Sequence, residues 1–570
     1  MAGTEAGAEK CSILSDSHST LPGQDDSPSK QNVASTKEDI GGHAPSIVHS
    51  SSHTSSTDDL EAQRVASTSA PNSDSAGKAK RRGFMSRFVL LPEAEEPKEY
   101  PTKIKWIITA IIAMAGSVAP LGSSIILPSL SNITEELNTT ISTTTFSVGV
   151  YMLALGFFPL FWSSFCESLG RRPIYIVSFT LMIIFNILAA LSTSISMFIV
   201  MRLLSGGSAA SVQVVGAGTL SDIWHVKERG RAMGYFYLGP LCGPLLAPII
   251  GGLLQSKWHW RSTMWFMTIV ALVGWNLLFW CLPETLKETK SLMAEIRGET
   301  SAQISNGQHE QLALTRTSTR QSVKMEGKIY AKLLKRIFWE PFTIVKYLRF
   351  PAVALTIYYA SITFGSLYLL QVGVQVTFSR PPYNFTPLQI GLSYISSSVG
   401  YLLASMIGGP WVDKIMAREA KKANRYDEKG ELIYRPEDRM KENAWLAAVV
   451  YPLALVWYGW TSEKGVFYVV PLVANFFFGV GSMLVFAMIT TMLTEFMPEK
   501  ASAGIALNNL IRNIFSFIGS VVAEPLINVI GDGWLFTGVG VIALVSSTVI
   551  WAMSHYGPRW RKTMDAKMNG

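Results

Sequence analysis

Residues 235–252 read YFYLGPLCGPLLAPIIGG, without a single charge and inside a longer apolar segment. Wound as a helix, Gly239, Gly243, Ala247 and Gly251 recur every fourth residue and form one stripe. Pro240, Pro244, Pro248 and Gly252 form the stripe beside it. Interior prolines cost a water-exposed helix about 3 kcal/mol each, so three of them exclude an ordinary soluble helix. A bilayer tolerates them, because neighbouring helices re-satisfy the freed carbonyls. Glycine at four-residue steps lets another backbone come close. The stretch is predicted to be a bent, tightly packed membrane helix at an interface between moving parts, in the manner of broken transporter helices. Packing alone is the simpler reading.

The rest of the chain fits a membrane protein. Of its 570 residues 48% are hydrophobic and only 16% charged, against about 25% charged in soluble chains. The net charge of +8 does not point to nucleic acid, since the basic residues sit between apolar runs. Cys11, Cys166, Cys242 and Cys281 fall outside every predicted external loop, so no disulfide framework is expected. No secretory signal peptide is read ahead of the first apolar run, near Trp106.

Residues 1–100 are rich in Ser, Thr, Gly and Asp and poor in aromatics, and are expected to be a disordered cytoplasmic tail. Its basic cluster, Lys78, Lys80, Arg81, Arg82 and Arg87, suits either anionic lipid or water. Twelve apolar spans follow, at 106–128, 142–164, 173–193, 197–222, 230–254, 262–282, 351–378, 387–412, 443–460, 466–494, 502–530 and 533–554. They divide into bundles at 101–282 and 351–556, joined by a polar loop at 283–350 and followed by a tail at 557–570. The 283–350 stretch carries twelve Lys and Arg and 413–442 carries nine, whereas 129–141, 194–196 and 531–532 carry none. By the positive-inside rule both termini and the central loop are cytoplasmic. Lys257, Arg261, Arg380 and Lys464 oppose the pattern. Sequons at Asn132, Asn138 and Asn384 then lie outside, open to glycosylation. In the central loop, the hydroxyls beside arginines at Thr315–Ser322 suit kinases or a plain linker.

The turn after the second span reads Ser163-Ser-Phe-Cys-Glu167-Ser-Leu-Gly170-Arg171-Arg172, and the end of the eighth span reads Gly409-Pro-Trp-Val-Asp413-Lys414. Each sets a carboxylate four residues after a small residue, which points to a duplication of six spans. This pattern resembles the signature loop of the major facilitator superfamily, with Ser163 for the first glycine and Ser168 for a basic residue. Arg202-Leu-Leu-Ser-Gly206 is similar to its fourth-span pattern, the Gly-Pro stretch of span 5 to its antiporter motif, and Leu282-Pro-Glu-Thr285 to the close of span 6 in fungal twelve-span drug:proton antiporters. The resemblance covers about residues 100–560 and is nearest to the quinidine-resistance and dityrosine-exporter branch. It implies an all-α membrane protein of twelve transmembrane helices in two six-helix pseudo-repeats, exporting drugs, polyamines, dityrosine-like compounds or organic acids from the plasma membrane against protons. No cofactor or metal is expected, and the unit is expected to be a monomer.

Charges within spans are functional candidates by default. Glu524 is read as the one carboxylate well inside an apolar run and is the first candidate for proton coupling, unless it lies at the outer interface and is wet. Asp222 and Arg202 follow, and Arg202 equally suits snorkelling to the outer surface. Glu167, Arg171 and Asp222, with Gly170, Arg172, Asp413 and Lys414, are read as an inner gate, as the resemblance implies. Arg512 needs a partner, from another helix or from a substrate carboxylate. Asn186, Gln213, Tyr237, Tyr359, Gln371, Asn475 and Phe478 are read as further cavity residues. Two other classes compete. A non-transporting sensor needs motif-rich tails, and an intramembrane enzyme needs acids, His or Cys grouped at one depth; neither is seen.

Overall fold

The computed structural model describes residues 89–91, 96–286, 339–426, 432–433, 435, 438, 440–496 and 501–568, apart from a few side chains within helices. The N-terminal tail up to residue 88 with its basic cluster, and the Thr315–Ser322 segment, lie outside these residues.

The first half comprises α1 (Thr102–Ser124), α2 (Leu130–Glu136), α3 (Ile141–Leu169), α4 (Arg171–Ala190), α5 (Ile195–Ala209), α6 (Ser211–Ile223), α7 (Val226–Lys257) and α8 (Arg261–Cys281). The second comprises α9 (Pro351–Ser379), α10 (Pro387–Lys422), α11 (Glu442–Glu463), α12 (Val469–Phe496), α13 (Ala501–Ser546) and α14 (Thr548–Met568). Among the described residues, ten helices are long and apolar enough to cross a membrane. One of these runs 59 residues, Ala503–Arg561. It contains a non-helical turn at Gly531, φ 80°. α7 is not among the ten, but its 32 residues reach about 48 Å at 1.5 Å each.

Local chemistry sets the boundaries. Thr140 and Ser194 cap α3 and α5 by accepting from the backbone N–H of Thr143 and Met197, both at 3.3 Å. Thr386 and Gln389 make a reciprocal capping box at the start of α10. Gly170, φ 99°, separates α3 from α4, a backbone position that a side chain disfavours.

Three boundaries differ from expectation. The 129–141 loop contains α2, whose Leu130 and Ile133 are fully buried, with Leu127 before it. It folds because those apolar residues cover the end of the bundle. α10 runs ten residues past the expected 412, and Arg418 near its end pairs with Glu442 at 2.9 Å. The expected tail at 557–570 begins instead as helix, continuous through Met568, with Met564 buried at 1%.

Within the first half α1 lies along α7, and within the second α9 lies along α13. The halves meet where α3 packs on α13 and α7 on α10.

Candidate functional site

At the end of the bundle carrying Gly170, part of the residue set expected at an inner gate comes together. Arg171 Nε pairs with Asp222 Oδ2 at 3.1 Å, and its Nη1 donates to Cys166 Sγ at 2.7 Å. The centre of the arrangement is Glu284, which sequence reasoning passed over as part of a family ending. Its carboxylate accepts the backbone N–H groups of Arg171, Arg172, Thr285 and Leu286 at 3.0–3.2 Å. An anion at the exposed N–H groups of a helix start is well placed, since those groups lack partners in the helix. A methyl group on Gly170 would sit 2.7 Å from Glu284 Oε2. Leu-Pro-Glu-Thr thus ties the end of α8 to the start of α4. Arg172 is fully buried and donates to Phe279 O at 2.8 Å. The Glu167 side chain lies outside the described residues. Asp413 and Lys414 are exposed and form no ion pair among the described residues, so no pair like Arg171–Asp222 is seen there.

The two stripes of α7 face different partners. Methyl groups on Gly239 and Gly251 would fall 2.0 Å from the carbonyl oxygens of Ala113 and Ile125, and one on Gly243 would fall 2.5 Å from Pro120 Cβ. Backbone lies on backbone along α1, and Ala247 is fully buried. The neighbouring stripe turns to the other half. Gly252 lies against Pro387, Leu388 and Gly391 of α10, and Gly391 lies against Pro248 O. The side chains of Tyr237, Pro240 and Pro244 lie outside the described residues.

In the seam between the halves, Ser123 Oγ meets Tyr368 Oη at 3.2 Å and Ser124 Oγ donates to Gln371 Oε1 at 3.4 Å. Arg512, partly exposed, stacks its guanidinium over the Phe364 ring at 4.4 Å, and Phe364 packs edge-on against Tyr368 and Phe486. Of the expected cavity residues, the structure therefore brings Gln371 and Arg512 to one place. Others make their contacts inside one half. Asn186 accepts from Ser205 between α4 and α5 at 2.8 Å. Tyr359 meets Ser547 at 3.3 Å. Phe478 is fully buried against Tyr451. Helical period names a face but not what lies opposite it. Asn475 is buried on α12 and Gln213 is half-buried on α6. Ser123, Ser124, Phe364 and Tyr368 were missed because serines and aromatics in apolar runs carry no pattern of their own.

At the opposite end, the one carrying α2, Glu524 is 5% exposed. It accepts from Ser142 of α3, from Arg380 Nη2 at 3.3 Å and from Asn528. Ser142 belongs to the other half, so this carboxylate bridges the two. Ser131 Oγ and Gln375 Nε2 also bridge them, at 3.3 Å. Arg202 is fully buried rather than snorkelling. It donates to Gly122 O at 2.7 Å and lies over Tyr151 at 4.1 Å. Glu524, Arg202 and Asp222 thus occupy three separate places. Arg380 and Arg261, two of the four charge-rule exceptions, are consumed in ion pairs, with Glu524 and with Glu136 respectively. Asn138 and Asn384 are exposed in left-handed turns, φ 46° and 48°, while Asn132 is part-buried in α2.

The sequence profile of the Major Facilitator Superfamily matches residues 112–520. The MFS antiporter QDR3 of Candida albicans is 35% identical over 85% of this chain and 82% of its own. Quinidine resistance protein 3 of Saccharomyces cerevisiae is 32% identical over 86% and 87%. Citrate exporter 1 of Aspergillus niger is 26% identical over 91% and 100%.

Proposed function

The chain belongs to the major facilitator superfamily of membrane transporters, and from that membership we propose a proton-coupled antiporter that exports small organic molecules by alternating access. The observation that carries this is the double contact of α7. Its glycine stripe joins it to α1 in its own half, and Pro248 and Gly252 touch α10 in the other. One helix fixed to one half and abutting the other is what two rocking halves require.

The reading includes twelve crossings, with Ala503–Arg561 crossing twice about Gly531 and α7 crossing once. It places both termini in the cytoplasm, the α2 end outside, and the protein in the plasma membrane as a monomer. The sequons at Asn132, Asn138 and Asn384 then face outward. Substrates enter the seam beside Arg512 and Gln371. Relatives named for quinidine resistance and citrate export support drugs and carboxylates as candidate substrates, with polyamines and dityrosine-like compounds beside them.

Glu524 couples the proton. Ionised, it accepts from Ser142 and Arg380 and holds the outer ends of the halves together. Protonated, it is a poorer acceptor for Ser142, the contact that spans the halves, and is free of its pair with Arg380, so the outer ends part. Asp222, committed to Arg171, reports the inner gate, and Arg202 is the remaining coupling candidate. Inverted membrane vesicles test this. Glu524→Gln should abolish pH-gradient-driven uptake across a panel of cationic drugs, polyamines and carboxylates, while substrate exchange survives. Unchanged gradient dependence would move the role away from Glu524.

A further inference from the structure

α11 begins beside the junction of α13 and α14, and the outer wall of the second half is hollowed there. A groove of about 270 Å³ opens between Trp445, Ala448 and Val449 on one side and Ser547, Thr548 and Trp551 on the other. Drug-sized sites run about 300–1,000 Å³, so this one is small for a transported substrate. It also opens away from the seam. Trp445, Val449 and Trp551 are 44%, 42% and 55% exposed, on a face that a bilayer would cover.

The floor is apolar in effect. Ser547 Oγ is engaged with the carbonyls of Ala448 and Ala543 and with Tyr359. Thr548 Oγ1 turns back to Val545 O at 2.7 Å. Neither hydroxyl is left for a polar ligand, whereas a hydrocarbon chain asks for none. The two tryptophans flank the groove as such rings flank a membrane interface.

The rim at the end of α14 is basic. From Trp551 the exposed stripe continues by single turns to His555, stacked flat on Trp551 at 5.8 Å, and then to Arg559. Across the groove Lys441 immediately precedes α11. Its Nζ makes a long ion pair with Glu419 at 3.7 Å, an acid it shares with Arg418, which also holds Glu442. In the orientation proposed above, this rim lies at the cytoplasmic leaflet, whose anionic lipids attract basic side chains.

We propose that the groove binds one acyl chain of an anionic glycerophospholipid, with its phosphate-bearing headgroup at Arg559 and Lys441. Two basic side chains at the leaflet surface correspond to a preference on the order of 30-fold for an anionic over a zwitterionic headgroup.

The test is native mass spectrometry of the full chain, titrated with phosphatidylserine or phosphatidylcholine of identical acyl chains. Phosphatidylserine should be retained about 30-fold better. Val449→Trp fills the groove from its exposed wall and should lower phosphatidylserine retention at least tenfold. Arg559→Glu should keep chain binding but remove the headgroup preference. Thermal melting of both variants establishes that they fold. Equal retention of the two lipids, wild-type retention by Val449→Trp, an intact preference in Arg559→Glu, or displacement of the phospholipid by a sterol would each overturn the proposal.

Discussion

Arg512 brings a guanidinium into the seam between the halves and rests it on Phe364. Such a contact gives about 0.5–2 kcal/mol depending on desolvation, and its planar fork still suits a carboxylate. Arg202 is fully buried and Arg512 half-buried, while two carboxylates are buried in the second half, Glu524 held by Arg380 and Asp532 by Thr377. A cation beside the Arg512 guanidinium is disfavoured at low dielectric, which, within the proposed export function, favours neutral, zwitterionic or carboxylate-bearing substrates at that place. Arg512→Gln should reduce transport of an organic acid about 10–100-fold, the worth of one charged hydrogen bond at about 1.5–3 kcal/mol. Arg512→Lys should retain part of it, and transport of a cationic drug should fall less than that of the acid in both. Equal losses for both substrates would mean a structural role, and selective loss of the cation would contradict the assignment. The residue scale is also where the sequence was least legible. Glu284 is one acid among many in a polar stretch, and its importance comes from four N–H groups that converge only after α4 and α8 have packed.

Helix α7 shows how much an element can disclose. Its four-residue glycine step was readable because only close backbone contact makes use of it, and α1 supplies that contact. The partner of the second stripe was not readable, since it lies in the other half of the chain. Nor was α2, whose seven residues are too few for a helical period to stand out. The glycines differ enough to be tested against each other. Gly239→Ala forces backbone apart, and overpacking of this kind costs about 1–3 kcal/mol. Gly234, on the same helix, has nothing within 4 Å of an added methyl. Gly234→Ala should leave transport intact and raise the melting temperature slightly, since glycine in a helix costs about 1 kcal/mol relative to alanine. Gly239→Ala should lower the melting temperature and the transport rate, and Gly243→Leu should abolish transport with the protein still at the surface. Normal transport by Gly243→Leu would mean that this stripe does not meet α1 in the membrane.

For the whole molecule, the loop charges predict the orientation. A tag at residue 135 should be accessible in intact cells and one at residue 300 protected; the reverse would invert every assignment of outside and inside. The exceptions Arg261 and Arg380 are each ion-paired at the α2 end, to Glu136 and to Glu524. One contact between the halves has a mechanical consequence. Helices ordinarily mesh, side-chain ridges entering grooves, and the mesh fixes the angle between their axes. Where Gly252 of α7 meets Gly391 of α10 neither helix has a tooth. The contact is a plain bearing, and the proposed rocking of the halves would meet no row of side chains to lift over another at this point.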